Sequence, residues 1–138
     1  MNLTRDEILA LDDITIKALT IPEDIPAWGG KEIYIKQLSR GIQDAYLKRR
    51  FGETRMRQDP KARQQEISAV QIFGHDAWLF VKGVCDEGGK LLFVEKDIDK
   101  LNEKSGEAIG WVASEIIDFS GMNDEDEQLK KVEEEVKN

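Results

Sequence analysis

Ile67-Ser-Ala-Val-Gln-Ile-Phe-Gly-His-Asp-Ala-Trp-Leu-Phe-Val-Lys-Gly-Val84 contains the longest strictly apolar run of the 138-residue chain, residues 77–81. Val70, Phe73, Ala77, Phe80, Val81 and Val84 recur at three-and-four spacing, which places them on one face of a helix. Ile72, Trp78 and Leu79 fill much of the rest of the circumference, so the spacing predicts a central helix buried on most sides. Gly74 lies inside it and costs about 1 kcal/mol relative to alanine, which marks that position for a kink or a break.

Toward the N-terminus the pattern changes period. Ile14, Ile16 and Ala18 alternate with Thr15, Lys17 and Leu19, and the β-branched segment at residues 32–36 repeats that texture. Pro22, Pro26 and Trp28-Gly29-Gly30 lie between them, so residues 14–37 read as a β-hairpin with a long connection. Before it, Thr4-Arg-Asp-Glu7 forms a capping-box signature and predicts a short helix ending near Leu11. After it, Ser39 caps an amphipathic helix carrying Ile42, Ala45, Tyr46 and Arg49.

Toward the C-terminus, residues 86–90 read as a tight turn, a small helix begins near Asp97, and Ser105 opens another. That last helix carries Ile109, Val112, Ala113, Ile116 and Ile117 on one stripe, with Trp111 off its middle. Residues 123–138 hold seven acids and three lysines and form a charged tail. The expected fold class is therefore α+β: a mainly α-helical single domain over residues 1–122, with a small N-terminal β-hairpin and an acidic tail.

Composition narrows the function. Leu, Ile, Val and Phe make up about 27% of the chain, above the roughly 20% below which disorder is the default. A net charge of −8 disfavours nonspecific attraction to nucleic acid or anionic lipid. No apolar run approaches the roughly 18 residues of a membrane span, and Arg5, Asp6 and Glu7 stand where a secretory signal would place its apolar region. A soluble, cytoplasmic protein without a cofactor is the expectation. Cys85 is the only cysteine, so an intrachain disulfide is impossible.

Catalytic chemistry finds few groups to work with. His75 is the only histidine and Cys85 follows ten residues on, yet a lone cysteine among apolar neighbours is more often a small buried hydrophobe than a nucleophile. Asp12-Asp13 and the pair Asp97 and Asp99 read as solvated helix ends, and no metal site is expected. Residues 48–63 carry a net charge of +5, so Arg49, Arg50, Arg55 and Arg57 define an alternative in which a small nucleic-acid-associated or regulatory protein uses this segment. A solvated loop, or one attracted to the acidic tail, is the simpler reading. Apolar helical surface is the more prominent feature, and aromatic residues concentrate in binding hot spots. The expected partner or self-association residues are Trp111, Ile109, Val112, Ile116 and Ile117, with Trp28 and Tyr46 beside them.

Particular strings then add a resemblance. Leu3-Thr-Arg-Asp-Glu-Ile-Leu-Ala10 with Asp12-Asp13, Trp28-Gly-Gly30, Tyr34, Leu38-Ser39 and Asp44-Ala-Tyr46 resembles the opening of tail assembly chaperones from long-tailed bacteriophages or prophages. Val84-Cys-Asp-Glu-Gly-Gly-Lys-Leu-Leu-Phe93, then Asp97, Leu101, Lys104-Ser105, Ala108 and Gly121-Met-Asn-Asp-Glu-Asp126, is similar to the remainder. The resemblance implies a nonenzymatic helper that binds the helical tape measure protein, keeps it soluble and helps recruit tail-tube protein. It further implies a homo-oligomer in the host cytoplasm, absent from the finished virion. In the family a longer form often arises by ribosomal frameshifting, for which Lys130-Lys131 marks a possible slippery site.

Overall fold

A computed structural model of the chain describes residues 2–51 and 75–122. Helix α1 (Arg5–Ala10) starts at Thr4, whose hydroxyl oxygen accepts from the Glu7 N–H at 3.2 Å while the hydroxyl donates to the Glu7 carboxylate at 2.9 Å. Strands β1 (Ile16–Thr20) and β2 (Glu32–Lys36) pair antiparallel, with Ile16 opposite Lys36 and Thr20 opposite Glu32. In their connection a Cβ on Gly29 would lie 2.4 Å from the Glu23 carbonyl oxygen, so the backbone passes where only glycine fits. Ile21 and Ile25 turn inward there and bury themselves against Ala108.

Helix α2 (Arg40–Phe51) follows Ser39, whose Oγ accepts from the Ile42 N–H at 3.3 Å and satisfies one of the free donors of the first turn. Helix α3 (Asp76–Gly83) runs directly into strand β3 (Val84–Cys85), which pairs antiparallel with β2. This corrects the expectation of a mainly helical domain with only a small hairpin. Among the described residues the sheet has three strands in the order β1-β2-β3, so the fold is α+β with β2 as the central strand.

The cause is local. Val84 leaves the helix with φ −82° and ψ 129°, an extended geometry that suits a β-branched residue. Gly83 ends the helix hard against the last helix, where a Cβ would sit 2.5 Å from Ile116 Cδ1. A stripe of apolar residues at helical spacing continues into a two-residue strand without any break in hydrophobicity, so periodicity alone could not separate the two.

The turn after β3 is built by Asp86, whose Oδ1 accepts from the N–H groups of Gly88 and Lys90, both at 2.9 Å. A single 3₁₀ turn (Glu95–Asp97) leads into helix α4 (Ile98–Leu101), and helix α5 (Gly106–Phe119) begins at Ser105, whose Oγ accepts from the Ala108 N–H at 3.2 Å. Leu19 and Ile35 from the sheet, Leu79, Phe80 and Val81 from α3, and Val112, Ala113 and Ile116 from α5 form the core. Gln43 ties α2 to this framework, its Nε2 donating to Leu38 O at 3.0 Å and to Ser120 O at 3.3 Å. The acidic tail at 123–138, the first part of the apolar stretch at 67–74, and Arg55 and Arg57 lie outside the described residues.

Candidate partner-binding surface

The stripe of α5 folds inward. Val112 and Ile116 are completely buried and Ile109 is nearly so, all packed in the main core. Tyr46 is buried as well, stacked on Trp78 with ring centroids 6.2 Å apart. These four expected partner residues stand in the chain's own core, three of them because α3 and the sheet together need one apolar helix to close over them, and Tyr46 because its ring stacks on Trp78. Trp28, Trp111 and Ile117 are half-buried. Trp28 and Trp111 each pack against both core clusters and so join the hairpin connection to α5. Trp28 meets Phe80 edge to face at 6.2 Å, and Phe80 in turn contacts Phe93 at 5.5 Å.

The side chains that do face outward lie elsewhere. Leu3, Ile8, Leu9 and Leu11, in and around α1, are all exposed, Leu9 at 68%. Helix α1 buries none of its residues. A second exposed group is Leu91, Leu92 and Val94, in the segment between the Asp86 turn and α4, and Ile16 at the start of β1 is exposed too. Single exposed leucines are ordinary on protein surfaces, whereas clustered ones mark interaction sites. The sequence signal for both clusters was present as short apolar runs, at residues 8–11 and 91–94, but a four-residue run does not say which side is covered.

The basic alternative also changes character. Arg49 lies over the Trp78 ring at 5.8 Å and Arg50 over the Tyr46 ring at 5.6 Å, with Lys82 over Trp78 at 5.6 Å. Cations held over the faces of an aromatic pair contribute to the packing of α2 on α3. Lys82 further pairs with Glu95 at 3.0 Å.

Chemistry at Cys85 is suppressed. Burial pushes its thiol up from its ordinary value and Asp86 adds to this, with Lys36 opposing, so the thiolate needed of a nucleophile is disfavoured. His75 precedes α3 and Cys85 lies in the strand after it, so the whole eight-residue helix, about 12 Å long at 1.5 Å per residue, stands between them. The Tyr34 hydroxyl is likewise pushed up, first because it donates to the Glu87 carboxylate at 3.1 Å. Among the described residues no three His, Cys, Asp or Glu side chains gather to hold a metal ion, and no helix is long and apolar enough to cross a membrane.

A family model described as phage tail assembly chaperone matches residues 12–131. Among solved structures the chain is similar to that of the bacteriophage HK97 tail assembly chaperone, at 13% identity and a TM-score of 0.49, covering 77% of this chain and 85% of that one. No curated protein matches.

Proposed function

The chain belongs to the phage tail assembly chaperone family, and from that membership we propose that it binds the tape measure protein, keeps it soluble and helps recruit tail-tube subunits around it. It works without covalent chemistry, as a homo-oligomer in the host cytoplasm, and leaves before the virion is complete. The family match over residues 12–131 is the observation that carries this reading.

The surface described above supports it physically. A long helical ruler exposes apolar stripes until the tube encloses it, and a protein with a net charge of −8 can cover such stripes while remaining well hydrated. Leu91, Leu92 and Val94 are the docking residues in this reading, because they are exposed and lie beside Phe93, which packs on the core ring of Phe80. A rigid support under an exposed apolar contact reduces the ordering cost of binding. Half-buried Trp28, Trp111 and Ile117 complete the set carried over from the sequence.

Coexpression with a tape measure protein from the same tail-gene cluster tests the reading. The expected result is a soluble complex that copurifies with the chain. Precipitation of the tape measure protein to the same extent with and without the chain would overturn it, as would salt-sensitive RNA or DNA binding with no effect on the client.

A further inference from the structure

The ladder between β1 and β2 uses the odd-numbered residues of β1. Gln37 N–H donates to Thr15 O at 3.0 Å and Ile21 N–H donates to Lys31 O at 2.9 Å, at the two ends of the paired register. Backbone groups in an antiparallel ladder alternate direction residue by residue, so Lys17 and Leu19 face β2 while the N–H and C=O groups of Ile16, Ala18 and Thr20 point the other way. Strand β1 is last in the order β1-β2-β3, and among the described residues those groups form a free edge. An edge of this kind is a template for another strand.

We propose that the edge is filled by β1 of a second copy of the chain, antiparallel and centred on Ala18, so that two sheets become one across a twofold axis. This deepens, and rests on, the homo-oligomer part of the reading above. Centred there, Ala18 pairs with the partner's Ala18 and Ile16 with the partner's Thr20, and every outward group of the strand is used. Lys17 lies beside the partner's Leu19, where its aliphatic stem can pack while its ammonium stays over the ring of its own Phe119, 5.8 Å from the centroid. Neighbouring registers are worse for stated reasons. A shift one way sets Lys17 against the partner's Lys17, a repulsive cross-strand pair. A shift the other way sets Ile16 against the partner's Pro22, which has no N–H to donate.

A helical client cannot fill this edge, since its own backbone groups are already paired within the helix. A second copy supplies a strand of matching length. It also meets the exposed apolar residues that precede the edge: Leu3, Ile8, Leu9, Leu11 and Ile16 all fall within the first sixteen residues. In an antiparallel pair the chain leading into one strand runs beside the partner's continuation out of the other, so each N-terminal segment is carried over the partner's connection at residues 21–30.

Ala18→Pro isolates the claim, because the amide it removes points to the edge and not to β2, and proline is tolerated on edge strands. Sedimentation of the purified full-length chain without client is expected to give a dimer, or a larger even assembly, for the wild type. Ala18→Pro should weaken association at least tenfold with an unchanged circular dichroism spectrum. Wild-type-like association of Ala18→Pro would overturn the strand pairing while leaving the homo-oligomer intact. A monomeric wild type at cellular concentration would overturn both. Amide exchange in the wild type gives a readout that needs no variant: protection at Ile16, Ala18 and Thr20 that fades on dilution supports the pairing, and rapid exchange at all concentrations contradicts it.

Discussion

Helix α5 and the N-terminal segment at residues 3–16 are both apolar at helical or strand spacing, yet the fold treats them oppositely. In α5 the stripe of Ile109, Val112 and Ile116 is buried. In the N-terminal segment Leu3, Ile8, Leu9 and Leu11 stay in solvent. Length and tethering account for the difference. Helix α5 has fourteen residues, a serine cap and three hydrogen bonds anchoring its C-terminal end, from Gln37 Nε2 to Phe119 O at 3.2 Å, from Leu38 N–H to Ser120 Oγ at 2.9 Å and from Gln43 Nε2 to Ser120 O at 3.3 Å. Helix α1 has six residues and buries none. Amphipathic patterning thus says that a face will be covered, and tethering decides whether the chain's own core does the covering.

The contrast can be broken most forcefully at its buried end. Ile116→Ala leaves a void between α3 and α5 where Gly83 brings the helices together, and it should cost about 2–5 kcal/mol, read as a large drop in Tm. A variant with wild-type stability would mean that α5 is not a core element. Trp111→Ala tests the middle ground. This indole packs against both core clusters while remaining half-exposed, so its loss should cost roughly 2 kcal/mol by the apolar area it covers. Unchanged thermal unfolding with reduced association would mean that it serves the partner surface alone and adds nothing to the core.

At the exposed end, Leu9→Ser should alter stability by no more than about 0.5 kcal/mol and reduce self-association. A substantial fall in Tm for the dissociated chain would show that α1 packs on its own subunit.

How much of this was legible in the sequence follows the same division. Capping residues placed helix starts well: Thr4, Ser39 and Ser105 each accept the backbone hydrogen bond expected of them. Alternation placed the hairpin, with β1 and β2 inside the expected residues 14–37. The apolar stretch was harder. Its residues at 76–83 are helical as expected, but Val84 and Cys85 join the sheet, because the end of a buried helix and the start of a buried strand have the same composition. The stripe of Ile109, Val112 and Ile116 is conspicuous in the sequence and buried in the structure for one reason: the most regular apolar face in a small domain is the one its own core takes first. Arg49 and Arg50 read as part of a solvated basic segment, with nucleic-acid contact as the alternative, because no sequence rule places a tryptophan and a tyrosine beneath them.

The most direct test of the central claim, that exposed apolar side chains and not a chemical step do the work, compares wild-type chain with Leu92→Asp in coexpression with the tape measure protein. Leu92 is 56% exposed, so the variant should fold with an unchanged Tm, and the account predicts that it leaves the tape measure protein in the pellet where the wild type keeps it soluble. Equal solubilisation by the two proteins would contradict the account.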